Sequence, residues 1–233
     1  MKTLYKKELN YYLNNPIGYI VIILFAVFTN FLFIKDLFLV GSASLRPFFG
    51  VAPWILMVFV PAVAMRSIAE EKRIGTIETL LTLPISETQI VLAKFLALLT
   101  LIGIGLVLTL GLPLVLAYLV RLYIPELLVG YVGVLLLAAS FLSMSIFFSS
   151  LTKNQVIAFL FSLLMLFLLL VMSTDFAASV LPRFIQEALV YFSPLYHLES
   201  FTKGIIDLRS IVYFLSFVGL FLTLTVIDLE RRD

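Results

Sequence analysis

The chain of 233 residues has no cysteine, a single histidine and a single tryptophan. Absent cysteine removes disulfides, thiolate metal sites and cysteine nucleophiles at once, so thiol redox chemistry is excluded. The lone His197 has no second histidine or thiol with which to hold a metal, and a packing or hydrogen-bonding role is expected for it. No G-x-x-x-x-G-K-[ST] run occurs, so the loop that cradles nucleotide phosphates is missing and no ATP hydrolysis is expected of this chain. Charge is also scarce: Asp, Glu, Lys and Arg make up 13% of residues and the net charge is +2, too little for nucleic-acid binding. An intramembrane enzyme fares badly too, because no nucleophile and base pair or metal constellation can be found.

What the chain does have is apolar length. Hydrophobic residues account for 62% of it and the mean hydropathy is +1.15, values that belong to an integral membrane protein. Apolar runs long enough to cross a hydrocarbon core as helices occur at Ile17 to Ile34, Phe48 to Met65, Ile90 to Val120, Leu127 to Ser149, Val156 to Ser173 and Ile211 to Ile227. With flanks they predict spans near 17–40, 48–66, 87–120, 127–150, 155–173 and 210–228. The alternation of a barrel is absent. The expected fold is an all-α polytopic membrane protein, one transmembrane domain over 1–233 with six transmembrane helices.

An even number of spans puts both termini on one side. Placing them in the cytoplasm puts Lys2, Lys6, Lys7, Arg66, Lys72, Arg73, Lys94, Lys153, Arg231 and Arg232 inside, against Lys35, Arg46, Arg121, Arg183, Lys203 and Arg209 outside. The lysines at the start precede a polar stretch through Asn15 with no small-residue cleavage site after the next run, so no cleaved leader is expected. In residues 1–15, Tyr5, Leu9, Tyr12 and Leu13 fall at helical spacing, which predicts a helix lying in the membrane interface; a solvated tail is the alternative. The third run is too long for one perpendicular crossing. Its start carries a capping box, Ser86 with Gln89, and a staple, Ile85 with Ile90, while Pro113 predicts a kink near the far end. Gly103, Gly105 and Gly111 are read as close-approach positions, and Thr29, Asn30, Ser140, Ser143 and Ser145 as hydrogen-bonding groups between helices.

Between the second and third spans, Ser67 to Gln89 is the densest cluster of charge and helix punctuation. Gly75 can end the extension of the second span in a left-handed conformation, Thr76 can cap a new short helix and Pro84 can stop it. Ile77, Leu80 and Leu81 then share one face, for the bilayer or for a groove on another protein, and Glu70, Glu71, Lys72 and Arg73 remain available for polar contacts. The residues alone leave a solvated loop and a docking device both open. The other inward loop, Thr152 to Gln155, is a tight turn that offers Lys153 and Asn154 to a neighbour or serves only as an inside-directing turn. On the other side, Leu181, Phe184, Ile185, Ala188, Leu189 and Phe192 recur at helical spacing between Pro182 and Pro194, in a stretch too short to span; an interfacial or re-entrant helix is expected within 174–209.

The run Glu70-Glu71-Lys72-Arg73-Ile74-Gly75-Thr76-Ile77-Glu78-Thr79-Leu80-Leu81-Thr82-Leu83-Pro84-Ile85-Ser86 resembles the signature between the second and third spans of type-2 ABC transporter permeases. Tyr191-Phe192-Ser193-Pro194, His197, Phe201, Lys203 to Ser210, and Tyr213-Phe214 look like the region before the last span in the gliding-motility-associated branch of that family. The resemblance implies that the loop 67–86 carries a coupling helix seated on an ATP-binding subunit, with Glu70, Glu71, Gly75, Thr76 and Glu78 in the main contact and Lys153 and Asn154 in a smaller one. It implies an outer gate at Phe184, Ile185, Ala188, Leu189 and Phe192. It further implies no cofactor in this chain, with ATP and Mg held by two copies of the partner ATPase, and a second permease copy or a related permease beside it. The expected function is the membrane subunit of an ATP-driven exporter in the cell inner membrane, both termini cytoplasmic. The alternative is a subunit that passes ATP-driven motion to an accessory outer-side partner without transporting anything. Fold likeness carries no cargo or physiology.

Overall fold

The computed structural model describes residues 1–40, 45–81, 84–119, 124–172 and 191–231. Among them every regular element is a helix. They are α1 (Lys2–Asn14), α2 (Pro16–Val40), α3 (Arg46–Ala64), α4 (Ala69–Ile74), α5 (Thr76–Leu81), α6 (Glu87–Thr109), α7 (Gly111–Leu119), α8 (Ile124–Leu151), α9 (Gln155–Val171), α10 (Pro194–Thr202) and α11 (Leu208–Glu230). Five stretches are long and apolar enough to cross a membrane: Gly18–Lys35, Arg46–Ile74, Glu87–Leu116, Ile124–Leu151 and Leu208–Glu230. The fifth expected span is shorter. Helix α9 runs for 17 residues, which at ~1.5 Å per residue is about 25 Å, somewhat under a typical hydrocarbon core.

Helix α8 is the axis of the bundle, with α3, α6, α9, α10 and α11 all packed against it. Two of its glycines make this possible. A Cβ at Gly130 would fall 2.2 Å from the Phe49 ring of α3, and one at Gly133 would fall 2.4 Å from Phe201 of α10. These are the close-approach positions, and they displace two of those read from the sequence: Gly103 and Gly111 meet nothing within 4 Å, while Gly105 lies against Phe25 of α2. The core around α8 is aromatic and aliphatic, with Phe48, Phe49, Phe141, Phe201 and Phe214 all fully buried. Tyr131 stacks on Phe48 and meets Phe49 edge-on, the arrangements that aromatic quadrupoles favour.

The third run breaks where Pro113 dictates. Pro113 has no N–H for the Thr109 carbonyl and its ring crowds that turn, so α6 ends at Thr109, Leu110 tightens to bond the Val107 carbonyl, and the chain resumes as α7. The Thr109 hydroxyl donates to Leu106 O at 2.7 Å and pairs with the Tyr131 hydroxyl at 3.0 Å, which ties the break to α8. Ser86 caps α6 by accepting from Gln89 N–H, and Ile85 packs beside Ile90 as the staple requires.

The polar groups inside the bundle mostly serve their own helices. Thr29, Ser143 and Ser145 donate to carbonyls of Phe25, Ser140 and Phe141 one turn back; Ser140 bonds Leu136 O and adds a long 3.5 Å contact to Phe214 O of α11. Asn30 Oδ1 is buried with no hydrogen-bond partner. The expected role between helices therefore fails for most of them. In a helix a Ser or Thr hydroxyl always has a carbonyl within reach one turn back, and that local bond is made before a distant one.

Candidate functional site

Helix α1 does not stand alone. Its inner face presents Leu4, Glu8 and Tyr12, spaced four residues apart and all buried, with Lys2, Lys6 and Lys7 on the exposed side. It packs along α6 and folds back on α2 at Asn15. Gly18 allows that turn: a Cβ there would sit 2.1 Å from the Tyr12 carbonyl oxygen. Burial among acidic neighbours, desolvation first and Glu8 next, drives the Tyr12 phenol well above its ordinary range, so it stays neutral.

Glu8 is buried because it has a partner. Lys94, 1% exposed on α6, places Nζ 3.2 Å from Glu8 Oε1 and 2.7 Å from Glu71 Oε1 of α4. One ammonium thus joins α1, α6 and α4. A second junction lies beside it, where Lys72 Nζ reaches Asp228 Oδ2 of α11 at 3.0 Å and donates to the carbonyl of Ser150 at the end of α8. The start of α4 is held from a distance. The backbone N–H groups of Ile68 and Ala69, left without acceptors at a helix start, donate to Ser149 Oγ of α8 at 3.2 and 3.0 Å, and that hydroxyl donates to Met65 O at 3.0 Å. Helix α4 is therefore fastened to α1, α6, α8 and α11 at one end of the bundle.

This arrangement revises the charged loop. The extension of the second span is not continuous: α3 ends at Ala64 and α4 begins at Ala69 after a turn. Gly75 takes the expected left-handed conformation, φ 84°, and its N–H bonds Glu71 O, but Thr76 is the first residue of α5 and not a cap before it. Ile77 and Leu80 are not offered outward; both are buried, with Leu80 against Leu4 and Ile90. Glu71 and Lys72 are likewise turned inward by their ion pairs, because a charge beside the apolar core is tolerated only when paired. Glu70 is half-buried, its Oε1 3.5 Å from Arg73 and its Oε2 buried without a partner. What faces away from the bundle is a knuckle of Arg73, Ile74, Gly75, Thr76 and Glu78, all exposed, Ile74 at 62%.

Helix α4 also packs against the end of α8 and the start of α9, so the turn at 152–154 lies next to the knuckle. Lys153 and Asn154 are exposed there. Asn154 Oδ1 is already engaged, accepting from Val156 N–H at 2.9 Å as the cap of α9. Thus Glu70, Gly75, Thr76, Glu78, Lys153 and Asn154 share one end of the molecule, with Glu71 behind them as a structural group. The residues missed by pattern reading are Glu8, Lys94 as a donor to two carboxylates, Asp228 and Ser149. Glu8 had a signal: it sits on the same stripe as Leu4 and Tyr12, where a carboxylate calls for a buried cation.

A family model described as ABC-2 family transporter protein matches residues 3–228 of the chain. The chain belongs to this family. No curated protein matches it. ABC-2 membrane components are typically non-catalytic and work in general with a separate ATP-binding subunit. This ABC-2 protein is therefore a multi-pass membrane component of a transporter.

The opposite end of this ABC-2 protein is aromatic. His197 on α10 is 3% exposed and stacks on Tyr213 with ring centres 4.0 Å apart. Its Nε2 lies 2.9 Å from the Tyr191 carbonyl, which can only accept, so Nε2 carries the hydrogen and Nδ1 accepts from Ser210 Oγ at 3.2 Å. Burial lowers the pKa of this ring below its ordinary value, against the raising influence of the Tyr191 carbonyl and Asp207. Tyr213 donates to Phe192 O at 2.6 Å and Ser193 caps α10. Of the expected gate residues, Phe184, Ile185, Ala188 and Leu189 lie outside the described residues. Phe192 is helical and 67% exposed, anchored through its carbonyl while its side chain points away.

Proposed function

We propose that the chain is the membrane-spanning half of an ATP-driven exporter, and that the knuckle at 73–78 seats on a separate ATP-binding subunit that holds ATP and Mg. One observation supports this reading above the others: a short exposed helical corner is fastened from behind, through Glu71, Lys72 and Ser149, to four separate helices. A loop built only to connect two spans needs no such fastening, whereas a loop that must transmit a push does. The knuckle end is read as cytoplasmic, since it also gathers Lys2, Lys6, Lys7, Arg66 and Lys153. The six-span arrangement follows if α9 crosses with the help of tilt or local thinning. Two such chains, or this chain and a related one, with two ATP-binding subunits make the working assembly. The likeness of residues 191–214 to the gliding-motility branch assigns no physiological role.

The test uses the exposed residues. Ile74→Asp together with Glu78→Lys leaves the ion-paired interior intact and should abolish copurification of the ATP-binding subunit and the stimulation of its ATPase, with unchanged thermal stability of the permease. Single exposed charges are worth only about 0–1 kcal/mol, so the pair is needed. Undiminished copurification of the double variant would move the docking site elsewhere. Substrate flux into vesicles then separates export from mechanical work on an outer partner.

A further inference from the structure

Helices α6 and α8 are tied together at the Thr109–Tyr131 pair, yet on their exposed side they leave a groove of about 730 Å³ between them. It runs from Leu96 on α6 to Leu110 just past that helix's end, and along the first half of α8 from Leu127 to Leu135. Val107, Leu128 and Val132 on its lining are each more than half exposed, so the groove is open to the outside. Gly103 deepens it, since a Cβ there would meet nothing within 4 Å. The hydroxyls on the lining are already engaged, Thr100 donating to Leu96 O at 2.8 Å and Tyr131 pairing with Thr109 at 3.0 Å. An occupant is therefore offered hydrocarbon contacts alone. Both helices belong to stretches long and apolar enough to cross a membrane, Glu87–Leu116 and Ile124–Leu151, so the groove opens onto bilayer hydrocarbon and not onto water.

We propose that this groove holds one acyl chain of a membrane phospholipid. Along α6 it extends for about 20 Å at ~1.5 Å per residue, and its volume spread over that length gives a cross-section on the order of 35 Å². A helix of a second copy, ~10 Å across, needs about 80 Å² and would bridge the groove without filling it. An extended hydrocarbon chain is a single file of methylenes and lies along the floor. Within lipid no hydrophobic force presses apolar surfaces together, so what favours one position over another is the number of atoms touched. A chain in the groove meets protein on both sides, whereas one lying on the exposed faces of α2 or α11 meets it on one side only. The occupant completes the packing of α6 on α8 beside the break at Thr109, and this holds whether or not the chain exports a substrate.

The experiment reconstitutes the full chain in phosphatidylcholine vesicles that carry a trace of phosphatidylcholine with a photoactivatable group in mid-chain. After irradiation, adducts should concentrate on peptides from 96–110 and 127–135, above those from α2 and α11, where Phe31 and Val212 are as exposed as the groove residues. Gly103→Leu should remove that excess by filling the floor. It should leave the unfolding midpoint unchanged or higher, because the new side chain starts in open space and glycine is a poor helix former. Gly219→Leu, with an equally unobstructed Cβ on α11, should leave the labelling as it was. Adducts spread over α2, α11 and the groove in proportion to exposure would overturn the site, and this readout on the unchanged chain decides even where Gly103→Leu folds poorly. An undiminished excess in folded Gly103→Leu would overturn it as well. Gly103→Cys, in a chain with no native cysteine, tests the rival occupant: recovery as a monomer after oxidation agrees with a lipid-filled groove, while a disulfide-linked dimer would assign the groove to a second copy and overturn the lipid.

Discussion

Replacing Lys94 by methionine removes one positive charge and almost no volume, and leaves two carboxylates facing each other without a counter-ion. Glu8 and Glu71 have side chains 8% and 23% exposed, with Lys94 itself at 1%. Breaking a buried pair by deleting one partner costs about 3–5 kcal/mol, mostly from the charge left unpaired. Here two charges are stranded, but Glu71 can turn partly to solvent, so about 3–4 kcal/mol is expected, within that range. For a chain of this size about 1 kcal/mol moves the unfolding midpoint by ~2–4 °C, giving a fall on the order of 10 °C in a detergent melt. The decisive comparison is the triple variant Glu8→Gln, Glu71→Gln and Lys94→Met. Because a buried ion network replaced by neutral groups of similar size is often no less stable, the triple variant should recover most of what the single one loses. A loss below about 1 kcal/mol for Lys94→Met would show that these charges are hydrated in the protein, and the fastening of α1 to α4 through Lys94 would fall with it.

Other outcomes follow from the same geometry. Ser149→Ala leaves the N–H groups of Ile68 and Ala69 without their acceptor and should cost about 1–2 kcal/mol, with faster amide exchange confined to the start of α4, whereas Ser150→Ala, whose hydroxyl bonds its own helix at Phe147, should cost less. His197 resists protonation when folded, so the unfolded chain binds the extra proton first as pH drops through ~6.5, and stability should decline from there downward; His197→Phe should flatten that decline in melts between pH 5 and 7. Single cysteines at Lys153 and Glu199, in a chain with no native cysteine, should react from opposite sides of intact membranes with an impermeant thiol reagent, and labelling of both from one side would remove the six-span arrangement.

Pattern reading reached the helices because their signals are local. Apolar length marked the spans within single continuous runs, while Ser86 with Gln89 marked the start of α6, Pro113 marked its break and Gly75 marked the left-handed corner, and these last three need no more than four residues of context. Of the span expected at 155–173, 17 helical residues are described, and a break between α3 and α4 stands where a continuous helix is expected. The charged end was hidden for a different reason. Glu8 and Lys94 lie 86 residues apart, and Lys72 and Asp228 lie 156 apart, so nothing in either neighbourhood says which charge is paired and which is offered to solvent. Read locally, Glu71 and Glu78 look like equals on a polar loop. Only the fold separates them into an internal fastening and an exposed charge.

That separation governs how a push at the knuckle would travel in the proposed exporter. If the ATP-binding subunit displaces Ile74 and Glu78, the force enters α4, a helix of two turns with no apolar face of its own long enough to hold it. It passes through three polar joints, Glu71 to Lys94, Lys72 to Asp228 and Ser149 to the start of α4, into α6, α11 and α8. Polar joints of this kind suit a moving part, since each is strong in one geometry and lost within about an ångström, while apolar packing yields gradually. One of the three joints ends on α8, and Lys72 donates in addition to the Ser150 carbonyl at the end of that helix, against which most of the others pack. The displacement therefore reaches the bundle axis first, and helices such as α9 and α10 would follow through their contacts with α8, with no need for a separate connection to the knuckle.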